Sequence, residues 1–282
     1  MLLSANSGLH GARPGQARYS VLESADFLAD VGFDAIDVNF GASIYPEPEA
    51  HDNLIDGDDW KKNLDALLDK CRQRDLKIRM THLPFRFKYR DESHPDFPFN
   101  YTMTCRALEA SEYIGAEWAV MHVTEVEDTV KYVRKLFADS KISRLGIAIE
   151  NIFKFPMENV IEACDILTAE GYKVGACLDL GHAHINGWYE YDVADAIRMV
   201  GKRIKVIHVH DNFRSDDHHI EPYRGTIDWP GVMKALKEVG FEGDLNYEMI
   251  ISRLPESVRH SYARFCVDLG RHLIDLYDQH QP

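Results

Sequence analysis

Nowhere in this 282-residue chain do about 18 apolar residues run together, the length a helix needs to cross the hydrocarbon core of a bilayer, so no membrane-spanning helix is expected. The opening "MLLSANSGLHGARPG" has too short an apolar stretch and no cationic start for a secretory signal, and a soluble, cytoplasmic protein is the expectation. Cysteine is sparse: Cys71, Cys105, Cys164, Cys177 and Cys266 are odd in number, far apart and free of C-x-x-C spacing. This argues against a disulfide framework and a thiolate zinc site, and leaves the thiols as small buried apolar groups. Positive charge is short as well, with 32 Lys and Arg against 46 Asp and Glu, a net charge of −14 that opposes broad attraction to phosphate backbones. Nucleic acid is therefore not the expected partner. Linkers and low-complexity segments are missing too, so residues 1–282 are expected to form a single domain.

What is present is a repeat of short apolar, β-rich runs: "LLSAN", "AIDVNF", "LKIRMTH", "EWAVMHV", "LGIAIEN", "VGACLDL", "IKVIHVH" and "GDLNYEM". Segments with helical apolar spacing lie between them, among them "SVLESADFLADVG", "WKKNLDALLDKCRQRD", "TMTCRALEASEYIG" and "PGVMKALKEVG". Strand and helix alternating eight times require parallel pairing through helical crossovers, and this chain length suits a closed (β/α)8 TIM barrel better than an open five- or six-stranded sheet. Helix-to-strand links such as "DVGFD" and "EVGFEGD" are terse, with Gly where a helix should stop. Strand-to-helix links are long, as in "GASIYPEPEAHDNLIDGDD" and "LPFRFKYRDESHPDFPF", and within them "ASIYPEPEAHD" and "FRFKYRDESHPDFPF" are expected to be lids. Long loops on one rim mark it as the working face.

The polar residues fall on that rim. The third to eighth strands end on His82, His122, Glu150, Asp179 with His182 just beyond, His208, and Glu248. A lone histidine at a strand end is ordinarily a hydrogen-bonded structural residue, whereas a carboxylate directly after "GIAI" needs a cation or several donors. Six successive ends restricted to imidazole and carboxylate, without Ser, Thr, Asn or Gln, point jointly to a metal site. Such ligands without thiolate suit Zn²⁺, Mn²⁺, Co²⁺ or Mg²⁺. His208 and His210 share a strand face, and alternation alone does not choose between them; Ile207 and Val209 should face the helices. The stretch "DDHHIEPYRGTIDW" is expected to fold back over the rim, with Asp217 and His219 adding ligands and Asp216 and His218 solvated. His184 is expected outside the ligand set. Gly225 should permit a tight turn and Asp228 should cap the helix beginning at Trp229 and Pro230.

This pattern resembles the xylose isomerase-like barrel superfamily, from the "GFDAIDV" second strand to "GDLNYEM". Among its branches, the resemblance to ketose 3-epimerases implies one divalent ion on Glu150, Asp179, His208 and Glu248, with His182 and Arg214 as substrate-binding residues; it selects His208 over His210. Where those enzymes carry a second substrate-binding Glu this chain has Pro156, which argues against an identical substrate grip. The resemblance to endonuclease IV implies up to three zinc ions on nine ligands: His82, His122, Glu150, Asp179, His182, His208, Asp217, His219 and Glu248.

Two facing carboxylates beside a cation favour a sugar or sugar-phosphate isomerase or epimerase, with Glu150 and Glu248 as the catalytic pair and a small carbohydrate as partner. An abasic-site phosphodiesterase and a keto-sugar dehydratase or lyase are the alternatives. The C-terminal "RFCVDLGRHLIDLYDQH" either covers the barrel or pairs with a copy of itself, which leaves a homo-oligomer open.

Overall fold

The computed structural model describes residues 1–11, 19–44, 52–85, 91–185 and 191–280. Strands β1 (Leu3–Asn6), β2 (Ala35–Asn39), β3 (Lys77–His82), β4 (Trp118–His122), β5 (Gly146–Glu150), β6 (Val174–Asp179), β7 (Ile204–Val209) and β8 (Leu245–Tyr247) run parallel in sequence order. β1 pairs with both β2 and β8, so the sheet closes into the expected (β/α)8 barrel. Around it lie α1 (Val21–Val31), α2 (Trp60–Gln73), α3 (Phe97–Tyr113), α4 (Val126–Asp139), α5 (Met157–Ala169), α6 (Leu180–His184), α7 (Val193–Val200), α8 (Trp229–Glu238) and α9 (Glu256–Gln279).

Local sequence sets these boundaries. α1 begins at a capping box, in which the Ser20 side chain accepts from the Glu23 N–H while Glu23 accepts from the Ser20 backbone, and it stops at Gly32, whose φ of 106° a Cβ would oppose. Its buried residues Ser24, Ala25, Leu28 and Val31 recur at helical spacing and pack on the barrel. Period-2 alternation separates an outward from an inward face along the strands. Outward-facing Leu3, Ile36, Val38, Ala119, Ile147, Ile149, Ile207 and Val209 join the main apolar layer under the helices. Inward-facing Met80, Val120, Ala148, Cys177 and Val206 form a small separate plug inside the barrel. The plug keeps water from beneath the rim, so polar side chains above it sit on a dry floor.

Four details differ from expectation. α3 starts at Phe97, so "FPF" belongs to a helix with Pro98 in its first turn rather than to a lid; Pro at that position lacks only an N–H that would have had no helical partner. α6 follows β6 without a loop, because Asp179 caps it by accepting from the His182 N–H at 2.6 Å. Gly225 does not serve through a positive φ: a Cβ there would lie 2.2 Å from Asp211 Oδ1 and 2.3 Å from the Asn212 carbonyl, so close approach demands glycine. Asp228 does occupy the N-cap position of α8, yet its side chain makes no cap hydrogen bond. α9 packs against α1, α8 and β1, which covers the barrel with a buried face of Ala263, Cys266, Leu273 and Ile274. All five cysteines are free, and only Cys105 is not buried. Among the described residues no helix is long and apolar enough to cross a membrane. Parts of the expected lids, 45–51 and 86–90, lie outside the described residues.

Candidate metal centre

Strand parity brings six strand ends to one rim, and the side chains meet in two adjoining clusters. The inner cluster centres on Glu150 at the end of β5. Its Oε2 lies 3.1 Å from His82 Nε2 and 3.2 Å from His122 Nε2, while its Oε1 lies 2.9 Å from His208 Nδ1. Glu248, just past β8, lies 3.0 Å from the same His208 Nδ1, and Asp179 stands 3.9 Å from it. One ligand atom from each of Glu150, Asp179, His208 and Glu248 falls within 4.8 Å of the others, a spacing a single ion could span.

The outer cluster comprises His182 on α6 with His210, Asp217 and His219 on the loop after β7. Asp217 Oδ2 lies 2.9 Å from His219 Nε2 and 3.4 Å from His182 Nε2, and its Oδ1 is 3.7 Å from His210 Nε2. Asp179 joins the clusters, since its Oδ1 is 3.1 Å from His210 Nε2.

Three histidines are set in advance for coordination. His82 Nδ1 donates to the Leu83 carbonyl, His182 Nδ1 to the Asn151 carbonyl, and His219 Nδ1 to the Glu248 carbonyl. Each bond fixes the ring and leaves Nε2 facing a carboxylate, the tautomer and aim that a metal-ligating histidine needs. This donor set, imidazole and carboxylate with backbone support, fits Zn²⁺, Mn²⁺ or a similar divalent ion.

Without a cation the clusters neutralise themselves. Burial pushes the Glu150 carboxyl up, but the His208 and His122 imidazoles more than reverse this and hold it well below the usual range. Glu248 is likewise lowered, against its burial, chiefly by His208. Burial alone would lower the histidines. Instead Cys177, Glu248 and Glu150 raise His208 well above its usual value, Asp179 and Asp217 raise His182 to about 10, and Asp217 with Glu248 raises His219 to about 9.

The remaining expectations sort as follows. His210, which strand alternation left level with His208, is fully buried in the outer cluster, so both face inward. Asp216 is exposed and His218 half-buried, while His184 is buried outside both clusters, with Nε2 2.9 Å from Thr226 Oγ1. Arg214 is exposed at the rim with φ 67°. After burial itself, its charge is the main influence lowering the neighbouring His184 imidazole.

Two residues escaped the sequence reading. Asp211, fully buried, accepts from the Asn212 N–H (2.8 Å) and the Ile227 N–H (3.2 Å) on Oδ1, and from the Tyr223 N–H (3.1 Å) and Trp229 Nε1 (2.9 Å) on Oδ2. It ties down the loop that carries Asp217 and His219, and an isolated antiparallel bridge to Ile220 adds two backbone bonds. Asp37 sits fully buried inside the barrel, where burial raises its carboxyl and Oδ2 accepts from Asn6 and Asn246. Its parity in "AIDVN", opposite to Ile36 and Val38, was a signal that could have found it. Phe85 also stacks on His122, with ring centroids 5.1 Å apart, and forms an aromatic wall beside the inner cluster.

A (β/α)8 barrel with these clusters at the C-terminal ends of its strands has the layout of a recognised family. The model of the xylose isomerase-like TIM barrel family matches residues 25–265, and the chain belongs to that family. The uncharacterized protein y4fM of Sinorhizobium fredii is 28% identical over 173 residues, 56% of this chain, and the matched part spans about half (55%) of that relative. Among solved structures, a D-tagatose 3-epimerase-like protein superposes with a TM-score of 0.73 at 18% identity, covering 99% of both chains. The IolI protein with a bound zinc atom gives 0.73 at 18% identity over 100% of this chain and 99% of that one. A D-psicose 3-epimerase crystallised in the presence of D-fructose gives 0.74 at 13% identity over 97% and 99%. At these identities the superpositions establish the shared fold.

Proposed function

We propose that the protein is a divalent-metal-dependent sugar or sugar-phosphate isomerase or epimerase that works by moving a carbon-bound proton. The observation that carries this reading is the approach of two carboxylates from different strands, Glu150 and Glu248, to one imidazole nitrogen at 2.9 and 3.0 Å, with Asp179 completing the tetrad. Glu150, Asp179, His208 and Glu248 would hold the ion, which supplies Lewis-acid polarisation of a carbonyl and its neighbouring hydroxyl. The carboxylates come from strand ends three apart around the barrel, so one removes a proton from one face of the substrate and the other returns it to the opposite face. Both are held ionised, the form a base requires. His182 and Arg214 would orient substrate oxygens, and Phe85 would shield the site from water.

The names of the epimerase structures agree with this reading, as does the zinc in IolI. The deciding experiment is incubation of metal-loaded protein with a panel of ketoses and ketose phosphates in heavy water. Deuterium entering the position next to the carbonyl is the expected result; no exchange with any sugar would refute it.

A second reading, a multi-zinc phosphodiesterase of the abasic-site type, is favoured by the presence of an outer cluster beside an inner one in which Glu150 lies within 3.2 Å of His82, His122 and His208. Nicking of abasic duplex DNA by the zinc-loaded protein tests it, and the net charge of −14 argues against it. Elimination from a keto-sugar would use the same carboxylates and would show as an unsaturated product in the heavy-water assay.

A further inference from the structure

We infer that Asn39 sets substrate specificity at the rim by donating its side-chain amide to a sugar hydroxyl remote from the reacting carbon. The inference rests on the proposed reaction and adds to it the recognition of a polyhydroxylated chain. Six of the eight strands bring imidazole or carboxylate to the rim, while β1 and β2, which lie side by side, end on Asn6 and Asn39. The two amides are locked in the same way. Asn6 Oδ1 accepts from the Gly8 N–H at 2.7 Å and Asn39 Oδ1 from the Gly41 N–H at 2.6 Å, each closing a turn two residues on. With the oxygen committed, the NH₂ group decides what each amide does. Asn6 Nδ2 donates to Asp37 Oδ2 at 3.3 Å inside the barrel, whereas Asn39 Nδ2 makes no hydrogen bond among the described residues. Asn6 is buried and Asn39 half-buried, so the second donor is the one within reach of a ligand.

The surroundings of Asn39 suit a sugar. By strand alternation it shares the inward face of β2 with Asp37, and it pairs in register with His82, whose Nε2 lies 3.1 Å from Glu150 Oε2. Phe85 lies beside it: a Cβ on Gly41 would fall 2.8 Å from both Asn39 Oδ1 and Phe85 Cε1, so glycine at 41 leaves room for the amide and the ring together. The same ring stacks on His122 with centroids 5.1 Å apart and meets His82 edge-on at 5.5 Å. An aromatic face beside a free amide matches the two kinds of surface a carbohydrate offers, apolar C–H groups and hydroxyl oxygens. Position around the barrel indicates which end of the sugar is involved. β2 stands four strands from β6, which carries Asp179 and leads into His182, so a substrate whose carbonyl end lies near His182 extends its far hydroxyls across the mouth toward β2. The competing role is structural: Asn39 would close the turn after β2, as Asn6 does after β1, and touch no substrate.

The test uses metal-loaded, full-length protein, the ketose that exchanges deuterium fastest, and analogues of it that each lack one hydroxyl remote from the carbonyl. Asn39→Ser keeps an oxygen for the Gly41 N–H and removes the NH₂ group; Asn39→Ala removes both. Wild type should handle one of the analogues ~10-fold less efficiently in kcat/KM than the parent sugar, the size of one hydrogen bond between neutral groups. Asn39→Ser should lose the same ~10-fold on the parent sugar, through KM rather than kcat, and nothing further on that analogue, with metal content at the wild-type level. Asn39→Ala should show the same selectivity and differ only in a lower Tm. A serine variant that handles the parent sugar as wild type does, or that loses one common factor on the parent and every analogue, would overturn the inference and leave Asn39 as a turn residue. Failure of wild type to exchange with any sugar would refute the proposed reaction, and the inference with it, so the two failures are distinct.

Discussion

Replacing Asp211 tests whether the ligand-bearing loop is held by its own hydrogen bonds. The carboxylate takes four donors, and alanine would leave the Asn212 and Ile227 N–H groups and the Trp229 indole N–H buried without an acceptor, with the Tyr223 N–H partly so. At about 1–3 kcal/mol for each buried unsatisfied donor, and allowing for relaxation, the expected loss is about 3–5 kcal/mol. For a chain of this length that is a drop in Tm of roughly 5–8 °C. Asn is the sharper probe because it has the same shape. Whichever way the amide turns, its NH₂ faces two donors, so Asp211→Asn should recover little of the loss. Denaturant melts read at two signals, with metal content measured alongside, provide the assay. The loop supplies Asp217 and His219, so, on the proposed metal-dependent reading, retention of a bound divalent ion should fall with stability. An asparagine variant within about 1 kcal/mol of wild type would refute the reasoning.

Glu150→Gln removes the charge shared by His82, His122 and His208 without changing shape. Solvent deuterium exchange into substrate should fall at least ~10²-fold in the folded variant, and full exchange would contradict its role as base. Gly225→Ala drives a Cβ into Asp211 Oδ1 and the Asn212 carbonyl, with an expected cost of about 1–3 kcal/mol in chemical unfolding. Glu112 gives the pH dependence: burial pushes its carboxyl up, but the N–H groups of Arg144, Leu145 and Ser143 more than offset this and bring it down to about 2. A depressed folded-state value means that its stabilisation is complete above the unfolded value of about 4.5 and fades as pH falls from there toward 2. Thermal melts from pH 6 to 2 should show Glu112→Gln converging on wild type only at the acid end; a gap independent of pH would disprove this.

The barrel and most of its rim were legible because both follow from periodicity. Alternation in "IKVIHVH" assigns Ile207 and Val209 to the helices and His208 to the interior, as found. The strand-end rule placed Glu150 and Asp179 on the rim, and the structure brings them within reach of one histidine, 2.9 and 3.9 Å from His208 Nδ1. Less was legible where position depends on contacts between remote segments. Parity put His210 level with His208, but its place beside His219 depends on a loop returning nine residues later. Asp211 looked like one more acid in an acidic stretch, and its four donors meet only once that loop has folded back. The short helix α6 was hidden because Asp179 both ends β6 and caps the next element.

The closure of the sheet between its first and last strands governs the order in which the molecule is completed during synthesis. Until Leu245–Tyr247 leaves the ribosome, β1 and β7 each present a bare edge able to pair with a neighbouring nascent chain. Glu248 follows directly on that strand, so the tetrad acquires its last member only when those edges are sealed. A truncated chain would be left both adhesive and unable to bring Glu248 to Glu150, Asp179 and His208.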